Sequence, residues 1–181
     1  MSGHGGHVDP SNKKIALLIA VLALFLAISE TLSKAYQTEV ITKQVEASNL
    51  WSFFQAKSIR KTTTDIAIQT AQIQPSAEDP KTAAMIKRWT DASKRYDSEP
   101  ETGEGRKELA ARAVAAQKLG QVANHKYHNL EISSGMLQVA IVLASSSIIT
   151  GVMLLAWLAG GLGVVAVGFG IFAMTGTASL L

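Results

Sequence analysis

The sequence predicts an all-α integral membrane protein: one amino-terminal transmembrane helix, a long helical hairpin inserted outside the membrane, and a carboxyl-terminal hairpin of two transmembrane helices. Three observations carry that reading. Apolar residues are concentrated near the two ends of the 181-residue chain. Neither Gly nor Pro occurs from Ser11 to Gln74, so a helix begun in the first apolar run has nothing to stop it before Pro75. Charge is confined to the middle, where residues 33–134 hold 15 of the 17 Lys and Arg and 12 of the 14 Asp and Glu, and so the whole net charge of +3.

Residues 1–14 form a Gly/His-rich tail ending in Lys13 and Lys14, and the first span follows over 15–32. Ile15 to Ile28 is almost unbroken Ala, Leu, Ile, Val and Phe, and Ser29 to Leu32 extend it toward the length of about 20 residues that a crossing needs. Ala27-Ile28-Ser29 resembles a small-x-small cleavage site, but no helix breaker precedes it, and an uncleaved anchor is expected. The polar insertion occupies 33–134. Its ascending arm, 33–74, would reach about 63 Å and its descending arm, 106–134, about 43 Å. A bend at Thr62-Thr63-Thr64, three β-branched residues, would remove the mismatch and leave about 65–105 as a cap. Within that cap Ala83 to Tyr96 reads as a short helix, bounded by Pro75 and Pro80 before it and by the Glu99 to Gly105 breaker after it. Ala110, Ala113, Ala116, Gly120 and Ala123 give the descending arm a slim face. Leu50, Trp51, Phe53 and Phe54 supply bulk opposite, in the manner of a coiled coil.

The second span is placed at 135–157 and the third at 158–174, joined by a tight turn at Ala159-Gly160-Gly161, with a short tail at 175–181. Trp157 fits an interfacial belt. Small residues stand four apart at Ser147 and Gly151, Ala159 and Gly163, and Ala166 and Gly170, which lets helices pack closely, within one chain or between copies. Lys34, Lys43, Lys118 and Lys126 flank the insertion and favour its cytoplasmic placement over the opposing vote of Lys13 and Lys14.

Composition also excludes. No Cys is present, so there is no disulfide, thiolate metal site or Cys nucleophile. The small mixed charge surplus does not make the continuous positive face that nucleic-acid binding requires. No phosphate loop, nucleophile elbow or His-Glu-x-x-His occurs, and no enzymatic activity is expected.

Two sets of residues have metal-ligand chemistry. In Met1-Ser-Gly-His-Gly-Gly-His7, removal of Met1 would leave an α-amine, two amides and the His4 imidazole to wrap Cu(II) or Ni(II), with His7 as a further ligand; no other cofactor is expected. His125, His128 and Glu131 are three apart and share a helix face, with Glu39 or Glu46 available from the other arm. Glu30, at the end of the first span, can mark an ion path or simply end a helix in water. Trp51, Phe54, Gln55, Lys57 and Ser58 are the expected partner-binding patch.

The segment Trp51-Ser-Phe-Phe-Gln-Ala-Lys-Ser58 resembles a bacterial membrane family, domain of unknown function 4337. The likeness extends to a Gly/His-rich start, an early span, a polar helical insertion and a closing apolar hairpin. The resemblance implies a multi-pass protein of the bacterial inner membrane and no particular activity. The expected function is a non-enzymatic accessory, assembly or scaffold subunit that meets lipid and binds a protein partner or its own copies. Metal handling through His4 and His7 is the alternative. A channel using Ser145, Ser146 and Ser147 as pore hydroxyls comes third.

Overall fold

The computed structural model describes residues 10–175, which form four α-helices: α1 (Pro10–Gln72), α2 (Pro80–Asp97), α3 (Arg106–Thr150) and α4 (Met153–Thr175), with one 3-10 turn at Pro75–Glu78. Among the described residues there is no strand. Three of the helices, α1, α3 and α4, are long and apolar enough to cross a membrane. The expected short spans are therefore parts of longer helices, since α1 and α3 each carry an apolar and a polar stretch without interruption.

The expected bend at Thr62-Thr63-Thr64 is not a helix break: α1 keeps its helical bonding through to Gln72, so 65–72 belong to it and not to a separate cap. Lys61 donates to Asp65 at 2.6 Å, one turn on, and so bridges the three Thr residues. Hydroxyls elsewhere in α1 bond back to the preceding turn, as Thr31 does to Ala27 and Ser58 to Phe54, both at 2.8 Å. The longer arm is matched by α2, whose Ser93 hydroxyl donates to Asp65 and whose Tyr96 ring lies 5.7 Å from Lys57 Nζ.

The fold divides into two compact units, one of residues up to Val40 and from Gln121 onward, the other of Ile41–Gly120. In the second unit α1 and α3 pack around Ala47, Leu50, Leu109, Ala113 and Ala116, with Trp51 and Phe54 against that core. A Cβ on Gly120 would lie 3.3 Å from the Lys43 Cβ, so the helices approach there at backbone distance. Ala110 is half-buried and Phe53 is exposed, so these two stand outside the expected seam.

In the first unit Leu22, Leu137, Ala140 and Ala166 form one cluster, and Ile15, Ala144 and Ala159 another, joining α1, α3 and α4. The turn between α3 and α4 lies at Gly151, eight residues before the expected Ala159-Gly160-Gly161 turn. Gly151 has φ +70, its N–H donates to Ser147 O at 2.9 Å, and the Ser147 hydroxyl donates to Val152 O at 3.0 Å. Gly160 and Gly161 stay helical, because in an apolar helix every backbone group is already bonded within the segment and glycine costs little.

The loop after α2 closes on α3 through Glu108. Ser98 donates to it at 2.6 Å and the Glu99 N–H at 3.1 Å, at the first turn of α3. Gly105 leaves no room for a side chain, since a Cβ there would stand 2.6 Å from Ser98 Cα and closer still to Glu99 N and the Glu108 carboxylate. Gly105→Ala is expected to cost about 2 kcal/mol by overpacking. Thermal unfolding of the detergent-solubilised chain, followed by circular dichroism, checks this, and an unchanged midpoint would show that the loop gives way freely.

Candidate functional site

The expected partner patch does not assemble as a surface. Trp51 and Phe54 are half-buried, meet edge to face with centroids 5.4 Å apart, and pack on the α1/α3 core. Arg106 sits over the Phe54 ring at 5.5 Å. The Lys57 side chain is only 13% exposed, between Tyr96 and Glu104, whose carboxylate lies 3.7 Å from its Nζ. Ser58 is spent on its own helix, and Gln55 alone of the five faces water. Trp51→Ala and Phe54→Ala should therefore destabilise the fold by about 2–3 kcal/mol each, as expected for half-buried aromatics, and so lower the thermal midpoint, and not act as selective contact losses. A variant that keeps the wild-type midpoint would contradict this placement.

The described part of the expected metal set, His125, His128 and Glu131, is not joined by a further ligand. Among the described residues no group of three or more His, Asp or Glu could hold a metal ion. His125 and His128 are exposed. His128 Nδ1 stands 3.9 Å from Glu131, too long for a strong bond, and Glu131 instead accepts from Tyr127 at 3.2 Å. The Glu131 charge, with some burial, raises the Tyr127 pKa above its ordinary value. His4 and His7 lie outside the described residues.

Polar groups do converge in the first unit, in a layer between α1, α3 and α4. Ser29, Ser33, Ser133 and Ser134 are buried there. Ser29 donates to Leu130 O at 3.2 Å and accepts from Ser134 at 3.0 Å, while Ser133 donates to Ala166 O at 2.7 Å. Gln138 donates to Glu30 at 3.3 Å, so the carboxylate is half-buried with an amide partner. Beside it opens a polar cleft of about 460 Å³, lined by Glu30, Lys34, Gln37, Tyr127, Glu131 and Gln138 among others. Two of the hydroxyls expected to line a pore are engaged within α3 and its turn: Ser145 donates to Ile141 O and Ser147 to Val152 O. Of the small-residue pairs, Gly163 meets the Leu22 side chain and Gly170 lies against Ser133, so Ala159, Gly163, Ala166 and Gly170 are used inside the chain and Ser147 and Gly151 make the turn.

This arrangement of apolar stretches, small-residue seams and polar insertion runs over almost the whole chain. A family model, Domain of unknown function (DUF4337), matches residues 11–176. The chain belongs to this family. No curated protein and no solved structure matches it. The DUF4337 match takes in all four helices and the polar loop between α2 and α3.

In that polar part, carboxylates are held ionised. Hydrogen bonds from Lys61 and then Ser93 lower the pKa of Asp65, the bond from Lys107 lowers that of Asp97, and the Ser98 hydroxyl and the Glu99 N–H lower that of Glu108. Groups with depressed folded pKa values stabilise the fold above their ordinary values of 3.8 for Asp and 4.5 for Glu, and that contribution is lost as pH falls through the folded values. The thermal midpoint is therefore expected to fall on acidification below about pH 4, with a shallower decline in Asp65→Asn with Asp97→Asn. A midpoint flat to pH 3 would contradict it.

The sequence reading missed a different feature of α1 and its end. Val45, Ile59 and Ile66, with Ile73 just past the helix, are 54%, 67%, 57% and 84% exposed. Their spacing in sevens was available as the signal.

Proposed function

We propose that this DUF4337 protein is a non-enzymatic, multi-pass subunit of the bacterial inner membrane, anchored by α1, α3 and α4, whose polar helices assemble with another protein or with its own copies. The observation that carries the anchor is the inverted packing of the first unit. Its interior combines Ala140, Ala144, Ala159 and Ala166 and buried serines with Ile15, Leu22, Leu130 and Leu137. Its exterior carries Leu24, Val142, Leu154, Val164 and Phe172, each 60–75% exposed. A water-soluble bundle buries its large side chains and exposes polar ones, whereas helices in lipid pack through small residues and leave large apolar ones to the acyl chains. The stretches Ile15 to Leu32 and Met153 to Thr175 are about 27 and 35 Å long, matching a hydrocarbon core of about 30 Å. The second unit has the ion pairs of a water-exposed structure, Lys107–Asp97 at 3.0 Å and Arg95–Glu99 at 2.6 Å among them. Lys34, Lys43, Lys118 and Lys126 support a cytoplasmic insertion.

An exposed leucine distinguishes the two solvents. In water Leu24→Arg and Val164→Arg would be nearly neutral, whereas at the middle of a span each costs about 2.5–3.5 kcal/mol. The wild-type chain is expected to resist alkaline carbonate extraction of bacterial membranes, and each Arg variant to lose most of its integrated fraction. In mild detergent the intact complex should have a mass above that of one chain. Carbonate release of the wild type would sink the anchor, and a lone monomer with no associated protein would sink the assembly role.

A further inference from the structure

The polar stretch of α1 has two seams on opposite sides, and only one is occupied. On its inner side it places Val40, Ala47 and Phe54 in one series of sevens and Lys43, Leu50 and Lys57 in another, none of them exposed. The opposite face consists of the series 41 to 69, 42 to 70 and 45 to 73, each advancing by seven: fifteen positions, every one exposed, of which Ile73 stands one residue past the end of α1. Not one is ionisable; the residues are Ile, Val, Thr, Ser, Asn, Gln and a single Ala. The remaining surface of this unit is different, since α2 exposes Lys87, Arg88, Asp91, Lys94 and Arg95. An exposed helix normally puts its charges on this outer face. Between 41 and 72 the α1 charges, Lys43, Glu46, Lys57, Arg60, Lys61 and Asp65, all lie off it, and Lys34 stands one heptad before its start.

Within that face Val45, Asn49, Ser52, Ala56, Ile59, Thr63 and Ile66 alternate in steps of four and three, the spacing of a coiled-coil core, over three heptads. A membrane surface is a poor fit, because a helix lying on lipid needs bulky apolar residues with a Lys/Arg border, and this face has Thr, Ser and Gln between its isoleucines. We infer that this seam is the self-association surface of the protein, taken up by the same seam of a second copy. The inference deepens the assembly reading and takes its geometry from the membrane anchor. Two copies in one membrane present the seam in the same direction, so they pair in parallel and in register.

Charge is compatible with that pairing. The ionised neighbours of the seam, Glu46 and Arg60, both fall in the register that meets the uncharged 41 to 69 series of the other copy, so no like charges face each other. Asn49 meets Asn49, where paired side-chain amides fix register at some cost in stability. Thirty-three residues make about 49 Å of helix, and a face about 10 Å wide gives about 500 Å² per copy. The total of about 1,000 Å² reaches the lower bound for a specific interface, and confinement to one membrane supplies the remaining advantage through effective concentration.

The absence of cysteine makes the test direct. Single variants Asn49→Cys, Ala56→Cys, Ile59→Cys and Ile66→Cys, with Arg88→Cys and Gln117→Cys as exposed controls on α2 and α3, are oxidised in native membranes and resolved without reductant. A disulfide-linked pair of this chain is expected at the four seam positions and not at the controls. Adding Ile66→Glu to Ile59→Cys should reduce the linked fraction at least tenfold while leaving the thermal midpoint unchanged, since Ile66 is exposed. Equal linkage at seam and control positions, no linkage, or linkage only to another protein would each overturn the self-association seam while the chain remains carbonate-resistant and the anchor reading stands. Carbonate-extractable chain would overturn the anchor and the parallel pairing together.

Discussion

Close approach of helix backbones through small residues is the constraint on which both units depend. In the polar unit Ala113, Ala116 and Gly120 let α3 come near enough to α1 that a methyl group on Gly120 would press on Lys43 Cβ. In the apolar unit Ala159, Gly163 and Ala166 do the same for α4, with Leu22 laid into the space at Gly163. Dispersion between surfaces at contact distance falls away steeply with separation, so a side chain added to either seam removes contacts along several turns. On the proposed membrane reading the units differ in what covers the outside, water for one and lipid for the other. Where water is the solvent, aromatic bulk from Trp51 and Phe54 adds hydrophobic burial to the seam. Where lipid is the solvent no such gain exists between helices, and packing with buried hydrogen bonds must suffice.

That difference explains the serines. Ser29, Ser133 and Ser134 would be costly in an apolar interior if they were unpaired, but each has a partner on a neighbouring helix: Ser29 and Ser134 join α1 to α3, and Ser133 bonds the Ala166 carbonyl of α4. Each hydroxyl is small enough to keep the backbones close and directional enough to fix the rotation of one helix against the next. The amide of Gln138 gives Glu30 a comparable partner, which is how a carboxylate is accommodated at the end of an otherwise apolar stretch.

The all-helical architecture was legible because long apolar runs and the Gly- and Pro-free stretch before Pro75 leave few alternatives. The finer features were hidden by residues with two uses. Gly160 and Gly161 read as a turn, yet Gly151 makes it, because only there do Ser147 and Thr150 supply hydroxyls to the exposed turn backbone. Thr62 to Thr64 read as a weak point, yet the Lys61–Asp65 pair holds it. The aromatic cluster read as a contact patch because residues can be assigned to a face only once the register of the helix is known. That register was obscured by its own composition: the inward positions of α1 include Ser29, Ser33, Lys43 and Lys57, which an apolar periodicity does not detect.

Those inward lysines also account for the outer face. Lys43 and Lys57 lay their aliphatic stems along the seam and carry their charges to its edges, where Lys43 finds Glu46 at 2.8 Å and Lys57 finds Glu104 and the Tyr96 ring. Lys61 and Asp65 likewise pair beside α2. These ion pairs of α1 draw charge toward the side of α2 and α3, and much of the work of keeping this unit hydrated falls to the charged surfaces of those two helices. What remains on α1 is a long face with β-branched residues in register and no charge to hold water. A helix so arranged is stable against its own partners within the chain, and the surface it leaves over has the composition of an interior.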